Sequence, residues 1–231
     1  VDADGVPTNG EVDVSLTPID PSVAAELEAV PSSMMGAALD DETVILDSMG
    51  MVSVTIKKDG DELQLAEGVL AQVEIPLPAD VEDPPAEIPL WHLDEDENIW
   101  VEEGTARLDA ERGMYVGEVS HFSMWNADVP RTATCITGKT VDTYDRALEG
   151  SQVRAMGLSY RGVTRAQSGS NGRFFMPVRR DSVINVMAVH KAGRPARSLE
   201  RSPDVHTPLP RRRYTWPMVP DVCNDIGTWR I

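Results

Sequence analysis

Aromatic side chains are scarce, at 5% of 231 residues, although a hydrophobic fraction of 41% still supplies ordinary cores. No run of about 18 apolar residues occurs, which excludes a membrane-spanning helix in this chain. Helical periodicity is nearly missing as well. The opening "VDADGVPTNG" has neither a basic start nor an apolar signal core. Residues 1–10 therefore read as a linker, and the chain as a piece of something longer; if the protein is exported, its signal has been removed or lies outside this chain. Basic residues are missing where they would matter for nucleic acid. Residues 1–130 hold 30 Asp and Glu against Lys57, Lys58, Arg107 and Arg112, a net charge of −26. Such a half repels phosphate. The "RRR" at Arg211–Arg213 is short and flanked by prolines, with no interleaved aromatics, so nucleic acid is not an expected partner.

Catalytic signatures are equally thin. There is no Gly-x-Ser-x-Gly elbow and no Gly-rich phosphate loop before a helix. Carboxylates are too numerous to single out a glycosidase pair. His92, His190 and His206 show no metal-ligand spacing among themselves, and Cys135 and Cys223 stand far apart, so no zinc site is expected. "DEDEN", Asp94–Asn98, makes Asp94 and Asp96 candidate Ca²⁺ ligands. "VDADG" invites the same reading, but it lacks the twelve-residue loop with its closing Glu, and acidic hairpin turns are ordinarily just solvated.

What the chain does have is β-pattern. Short runs such as "EVDVSLTPI", "MVSVTIKKDG", "AQVEIPLP", "IPLWHLDED", "NIWVEEG", "TARLDAERG" and "MYVGEVSHFSMW" recur at intervals of about 8–12 residues. In Met51–Ile56, Val52, Val54 and Ile56 form one apolar face. Pro76, Pro78, Pro84, Pro85 and Pro89 mark an edge strand and a loop, since proline is excluded from central strands. "DEDEN" reads as a hairpin turn between two Trp-bearing strands. One helix is predicted near residues 21–30, "PSVAAELEAV", with Asp20 as N-cap, Pro21 in the first turn and Pro31 as stop. Asn171-Gly172 predicts a hairpin turn. The segment "SLERSPDVHTPLPRRRYTWPMVPDV" reads as a long crossing connection. The fold class is all-β.

Charge changes sign at Pro130-Arg131. Residues 131–231 hold 17 Lys and Arg against 8 Asp and Glu, a net of +9. This places a domain boundary there: an acidic β-sandwich over 11–130 and a basic one over 131–231. Opposite charge allows the two to attract, within a chain or head to tail between chains. That opens an assembly-subunit reading with self-association. The cysteine pair gives two alternatives. An exported chain bridges Cys135 to Cys223 and closes most of the second domain into one loop; a cytosolic chain leaves two buried thiols. Composition favours the bridge.

Three resemblances follow from particular residues. "ITGKTVD", "ALEGSQVRAMG", "SGSNGRFFMPV" and "NDIGTWRI" resemble the carboxypeptidase regulatory-like domain, a transthyretin-like β-sandwich. The resemblance implies an accessory module without catalytic residues; Ser151 stands where that pattern usually has Ala. "LTPIDPS", "IPLWHLDEDENIWVEEGTARLD" and "YVGEVSHFSMWNADVP" resemble a β-rich region of bacterial surface proteins and of cartilage intermediate layer proteins. Val119–Trp125 is similar to the cleavage segment of self-cleaving sandwiches of the netrin-receptor and ankyrin type. That similarity implies scission between Phe122 and Ser123. Ser123 would be the nucleophile in an N-to-O acyl shift, with His121 as base and the bond held distorted at a bulge. Phe122 and Trp125 read as core, and Asn126 and Asp128 as nearby polar groups able to orient the site.

The favoured function is an exported or cell-surface accessory module, extracellular or periplasmic, that binds a protein or glycan without substrate turnover. Self-cleavage is the alternative. No cofactor is expected beyond a Ca²⁺ reading at Asp94 and Asp96.

Overall fold

The computed structural model describes residues 1–40, 42–191, 196–201 and 223–231. The Arg211–Arg213 knot and His206 lie outside the described residues, as does most of the expected crossing connection. The chain is all-β, as its patterning predicts. Among the described residues, sixteen strands and one short helix follow in order: β1 Asp13–Ile19, α1 Ala24–Ala29, β2 Met35–Ala37, β3 Thr43–Lys58, β4 Asp61–Leu63, β5 Ala71–Pro76, β6 Glu87–Asp94, β7 Ile99–Asp109 and β8 Met114–Val119. Then come β9 Met124–Arg131, β10 Ala133–Val141, β11 Gln152–Gly157, β12 Val163–Gln167, β13 Arg173–Arg179, β14 Val183–Val189, β15 Ala196–Arg201 and β16 Asn224–Arg230. Among the described residues no helix is long and apolar enough to cross a membrane.

Two compact units form. The first comprises Val1–Ala29, Ser48–Glu95 and Trp100–Val129; the second comprises Val30–Asp47, Asp96–Ile99 and Pro130–Ile231.

In the first unit the strands run in the order β1-β3-β9-β6-β7-β8-β5, with β4 also on β3. Alternating side chains point to one face, and that face is buried. Val52, Val73, Ile75, Ile88, Leu90, Ala106, Tyr115, Trp125 and Ala127 make the core. Val52 is fully buried, and Val54 packs partly against the same cluster, as the alternation in β3 requires. β5 ends the order and carries Pro76 at its last position, where a missing N–H is tolerated. Pro89 departs from expectation, because it stands inside β6, between β9 and β7. The β6–β9 pairing runs over Leu90–His92 and so asks nothing of the Pro89 nitrogen. The helix is shorter than the predicted one. Asp20 closes a turn ahead of it, accepting at Oδ1 from Ser22 N (2.8 Å), while Glu26 Oε2 accepts from Asp20 N (2.7 Å).

Three of the predicted strands need correction. "NIWVEEG" and "TARLDAERG" are one strand, β7, because Gly104 adopts a φ of +79° and lets the strand continue through an irregularity. "MYVGEVSHFSMW" is two strands, β8 and β9, broken at 120–123.

The second unit holds a three-stranded sheet, β13-β10-β16, and a four-stranded sheet, β12-β11-β14-β15. Between them Ile136, Val153, Ala155, Phe174, Met176, Val178, Ile184, Val186 and Ala188 are buried together with Ile45 and Trp229. β10 pairs antiparallel with β13 and parallel with β16. That parallel register sets Ile136 opposite Asn224 and brings the preceding residues, Cys135 and Cys223, together in a disulfide. β2 pairs with the start of β3, Met35 opposite Ile45. Asn171-Gly172 is not a hairpin turn, since β12 and β13 belong to different sheets. Gly172 takes a φ of +77°, and a Cβ there would lie 2.4 Å from the Thr140 carbonyl oxygen.

Candidate functional site

The His-Phe-Ser triplet is not in a strand and not at a bulge. It occupies the connection from β8 to β9. Polarity explains the break: Ser120, His121 and Ser123 interrupt the apolar alternation that both flanking strands maintain. In the sheet order, β8 and β9 flank the pair β6 and β7. The connection therefore has to pass from one side of that pair to the other, which brings His121 to residues of both strands.

Each backbone carbonyl of the triplet is held. Trp125 Nε1 donates to His121 O at 3.1 Å, Gln64 Nε2 to Phe122 O at 2.8 Å, and Val54 N to Ser123 O at 3.0 Å. Phe122 N donates back to Gln64 Oε1 at 2.7 Å. Gln64 follows β4, where Gln64 N donates to Val1 O at 2.9 Å. Ser123 Oγ donates to Met124 O at 3.3 Å. None of the three residues takes a positive φ. Phe122 is half-buried and joins neither core, whereas Trp125 is fully buried. Asn126 and Asp128 are buried on β9 beyond the triplet. Ser48 Oγ donates to Asn126 Oδ1 (2.8 Å), and Asn126 Nδ2 donates to Asp128 Oδ2.

His121 meets a carboxylate from β7. Its Nε2 lies 3.5 Å from Glu103 Oε2, and His92 Nε2 lies 3.5 Å from the same oxygen. The two imidazoles meet edge to face, with ring centroids 4.6 Å apart. The Trp125 ring is tilted against both, at 4.9 Å from His121 and 5.6 Å from His92. Ser120 Oγ donates to the other carboxylate oxygen, Glu103 Oε1, at 2.6 Å. Burial holds the His92 imidazole below its ordinary range; His121 adds to the effect, and Glu103 and Asp94 oppose it. Burial raises the Glu103 carboxyl, but the Ser120 hydrogen bond and the two imidazoles outweigh it, leaving a net lowering.

The sequence treated His92 and His121 separately and assigned Glu103 nothing. His92 and Glu103 are on strands joined by the Asp94–Asn98 turn, and a hairpin places residues before its turn beside those after it. That was the usable signal. Gln64 left no signal at all. Asp94 ends β6 and Asp96 lies in the turn beyond it. Among the described residues, the one group of three potential ligands is His92, Glu103 and His121; Asp94 and Asp96 are not in it.

The chain is similar to cartilage intermediate layer protein 2 of Homo sapiens, with 28% identity over 169 residues, 67% of this chain and 14% of that protein. It is similar to cartilage intermediate layer protein 1 of Mus musculus, with 27% identity over 216 residues, covering 88% of this chain and 18% of that protein. The protein of the same name in Sus scrofa is also 27% identical over 216 residues, 88% of this chain and 35% of its own length. The chain thus spans a minor part of each relative. No family profile and no solved structure matches it.

Proposed function

We propose that this chain is a non-catalytic extracellular accessory module that binds a protein or glycan. The observation that carries this reading is the Cys135–Cys223 disulfide across 88 residues. Such bonds persist in oxidising compartments and are rare in reducing ones. Similarity to proteins named for a layer of cartilage, over as much as 88% of the chain, supports the same placement. The two-sheet architecture of the second unit supports its assignment as a regulatory-like, transthyretin-like module. Intact mass of the chain recovered from its natural compartment, before and after reduction, tests the placement. A gain of two hydrogens on reduction is expected. Two free thiols before reduction would overturn the extracellular reading.

A second reading is favoured by Gln64. Its amide donates to the Phe122 carbonyl oxygen, the position where negative charge develops if Ser123 attacks that carbonyl. In this reading Ser123 Oγ rotates away from Met124 O and bonds to the Phe122 carbonyl carbon. The C–N bond breaks, and the Ser123 nitrogen takes the hydroxyl proton by way of His121. Water then hydrolyses the ester, leaving a Phe122 carboxylate and a free Ser123 hydroxyl. A denaturing gel and intact mass test it. Fragments ending at Phe122 and starting at Ser123, lost in Ser123→Ala, are expected. A single full-length mass in both proteins would sink it.

A further inference from the structure

We propose that His92 Nε2, His121 Nε2 and Glu103 Oε2 form a binding site for one divalent transition-metal ion of the Zn²⁺ class. One potential ligand atom from each of the three residues lies within 4.8 Å of the other two. Zn–N and Zn–O bonds of about 2.0–2.1 Å in a tetrahedron separate neighbouring ligand atoms by about 3.3 Å. Both imidazole nitrogens stand 3.5 Å from the shared carboxylate oxygen, close to that edge. The same separation is long for a charge-assisted hydrogen bond, which runs at about 2.7–2.9 Å.

The donor set selects the metal. Two imidazoles and one carboxylate suit a borderline ion, whereas Ca²⁺ and Mg²⁺ take oxygen ligands throughout. The surroundings are those of a built site. Ser120 holds Glu103 Oε1, so that Oε2 is the oxygen presented to the two rings. Trp125, fully buried, forms an apolar backing to both imidazoles. The ligand side chains remain partly open, at 19% for His92, 30% for His121 and 40% for Glu103. Three protein ligands with solvent access leave a fourth position for water or for a group from a partner. Two of the ligands come from paired strands and the third from the connection that crosses them. A bound ion therefore pins the β8–β9 connection to β6 and β7.

The test is titration of the chelator-stripped full chain with Zn²⁺ by calorimetry, and with Co²⁺ by visible absorption. One equivalent and the intense absorption of a tetrahedral Co²⁺ centre are expected. His92→Ala and His121→Ala abolish saturable binding, and Ser120→Ala weakens it about 10- to 100-fold. Glu103→Gln, which keeps the side-chain shape, also loses the tetrahedral absorption, and its metal-free thermal unfolding shows that it is folded. His190→Ala, at a site in the second unit, leaves binding intact. Absence of saturable binding in the unaltered chain, or binding that survives both histidine substitutions, would overturn the proposal. Neither result bears on the disulfide, so the extracellular placement is judged separately.

Discussion

Gln64 and Phe122 are joined twice, the side-chain amide of one pairing with both the N–H and the C=O of the other at 2.7 and 2.8 Å. A side chain here does what a neighbouring strand would do. It satisfies a peptide group that lies outside both flanking strands and would otherwise rely on water. We expect Gln64→Ala to raise amide hydrogen exchange at Phe122 and to lower stability by about 1 kcal/mol. Unchanged exchange at Phe122 would show that the pairing does not hold the connection.

Asp47 should be the most sensitive acidic residue of the second unit. It is buried, accepts from Arg161 N at 2.9 Å, and meets Arg131 Nε at 3.2 Å and Arg179 Nη1 at 3.4 Å. Replacing it with Ala strands a backbone donor and leaves two guanidinium groups without their shared partner. Both arginines retain some solvent, which limits the loss to about 2–3 kcal/mol. A lower urea midpoint at unchanged slope checks this; an unchanged midpoint contradicts it.

Gly138 lies against the Phe174 ring. A Cβ there would sit 2.7 Å from Cζ and 2.9 Å from Cε1 of a side chain that is itself in the core. Gly138→Ala should cost about 1–3 kcal/mol by forcing that ring to shift. Thermal unfolding measures it, and near-ultraviolet spectra should change with it.

Tyr115 predicts an alkaline limit for the first unit. Its hydroxyl donates to Pro85 O at 2.9 Å, and burial pushes its pKa up to about 12. An unfolded phenol titrates near about 10. A raised folded value means that the contribution is fully present below pH of about 10 and is lost as pH rises through about 12. Tyr115→Phe removes the hydrogen bond and flattens the fall in stability over that interval. An ultraviolet titration in which every tyrosine ionises near pH 10 would refute the assignment.

The strands were legible because their burial alternates. In β13, Phe174, Met176 and Val178 are buried in step, and in β14 Ile184, Val186 and Ala188 are. β7 was legible only in halves, since "NIWVEEG" ends on Gly104 and a single left-handed glycine there carries the strand on into "TARLDAERG". β2 and β4, at three residues each, are too short to show any period. The site escaped for a different reason. His92, Glu103 and His121 meet through strand order, and strand order is a property of pairing across the whole unit. The triplet was misplaced because "MYVGEVSHFSMW" has apolar residues on both sides of its polar centre. A continuous strand and two strands with a break look alike at that length.

The bond between Cys135 and Cys223 also has a mechanical meaning. A pull transmitted along β16 reaches β10 through two sulfur atoms, without passing along the chain between them. Fully drawn out, 88 residues would lengthen the molecule by about 300 Å. With the bond closed that length is locked away, and tension at this end loads the parallel pair β10 and β16 directly as one covalently tied anchor.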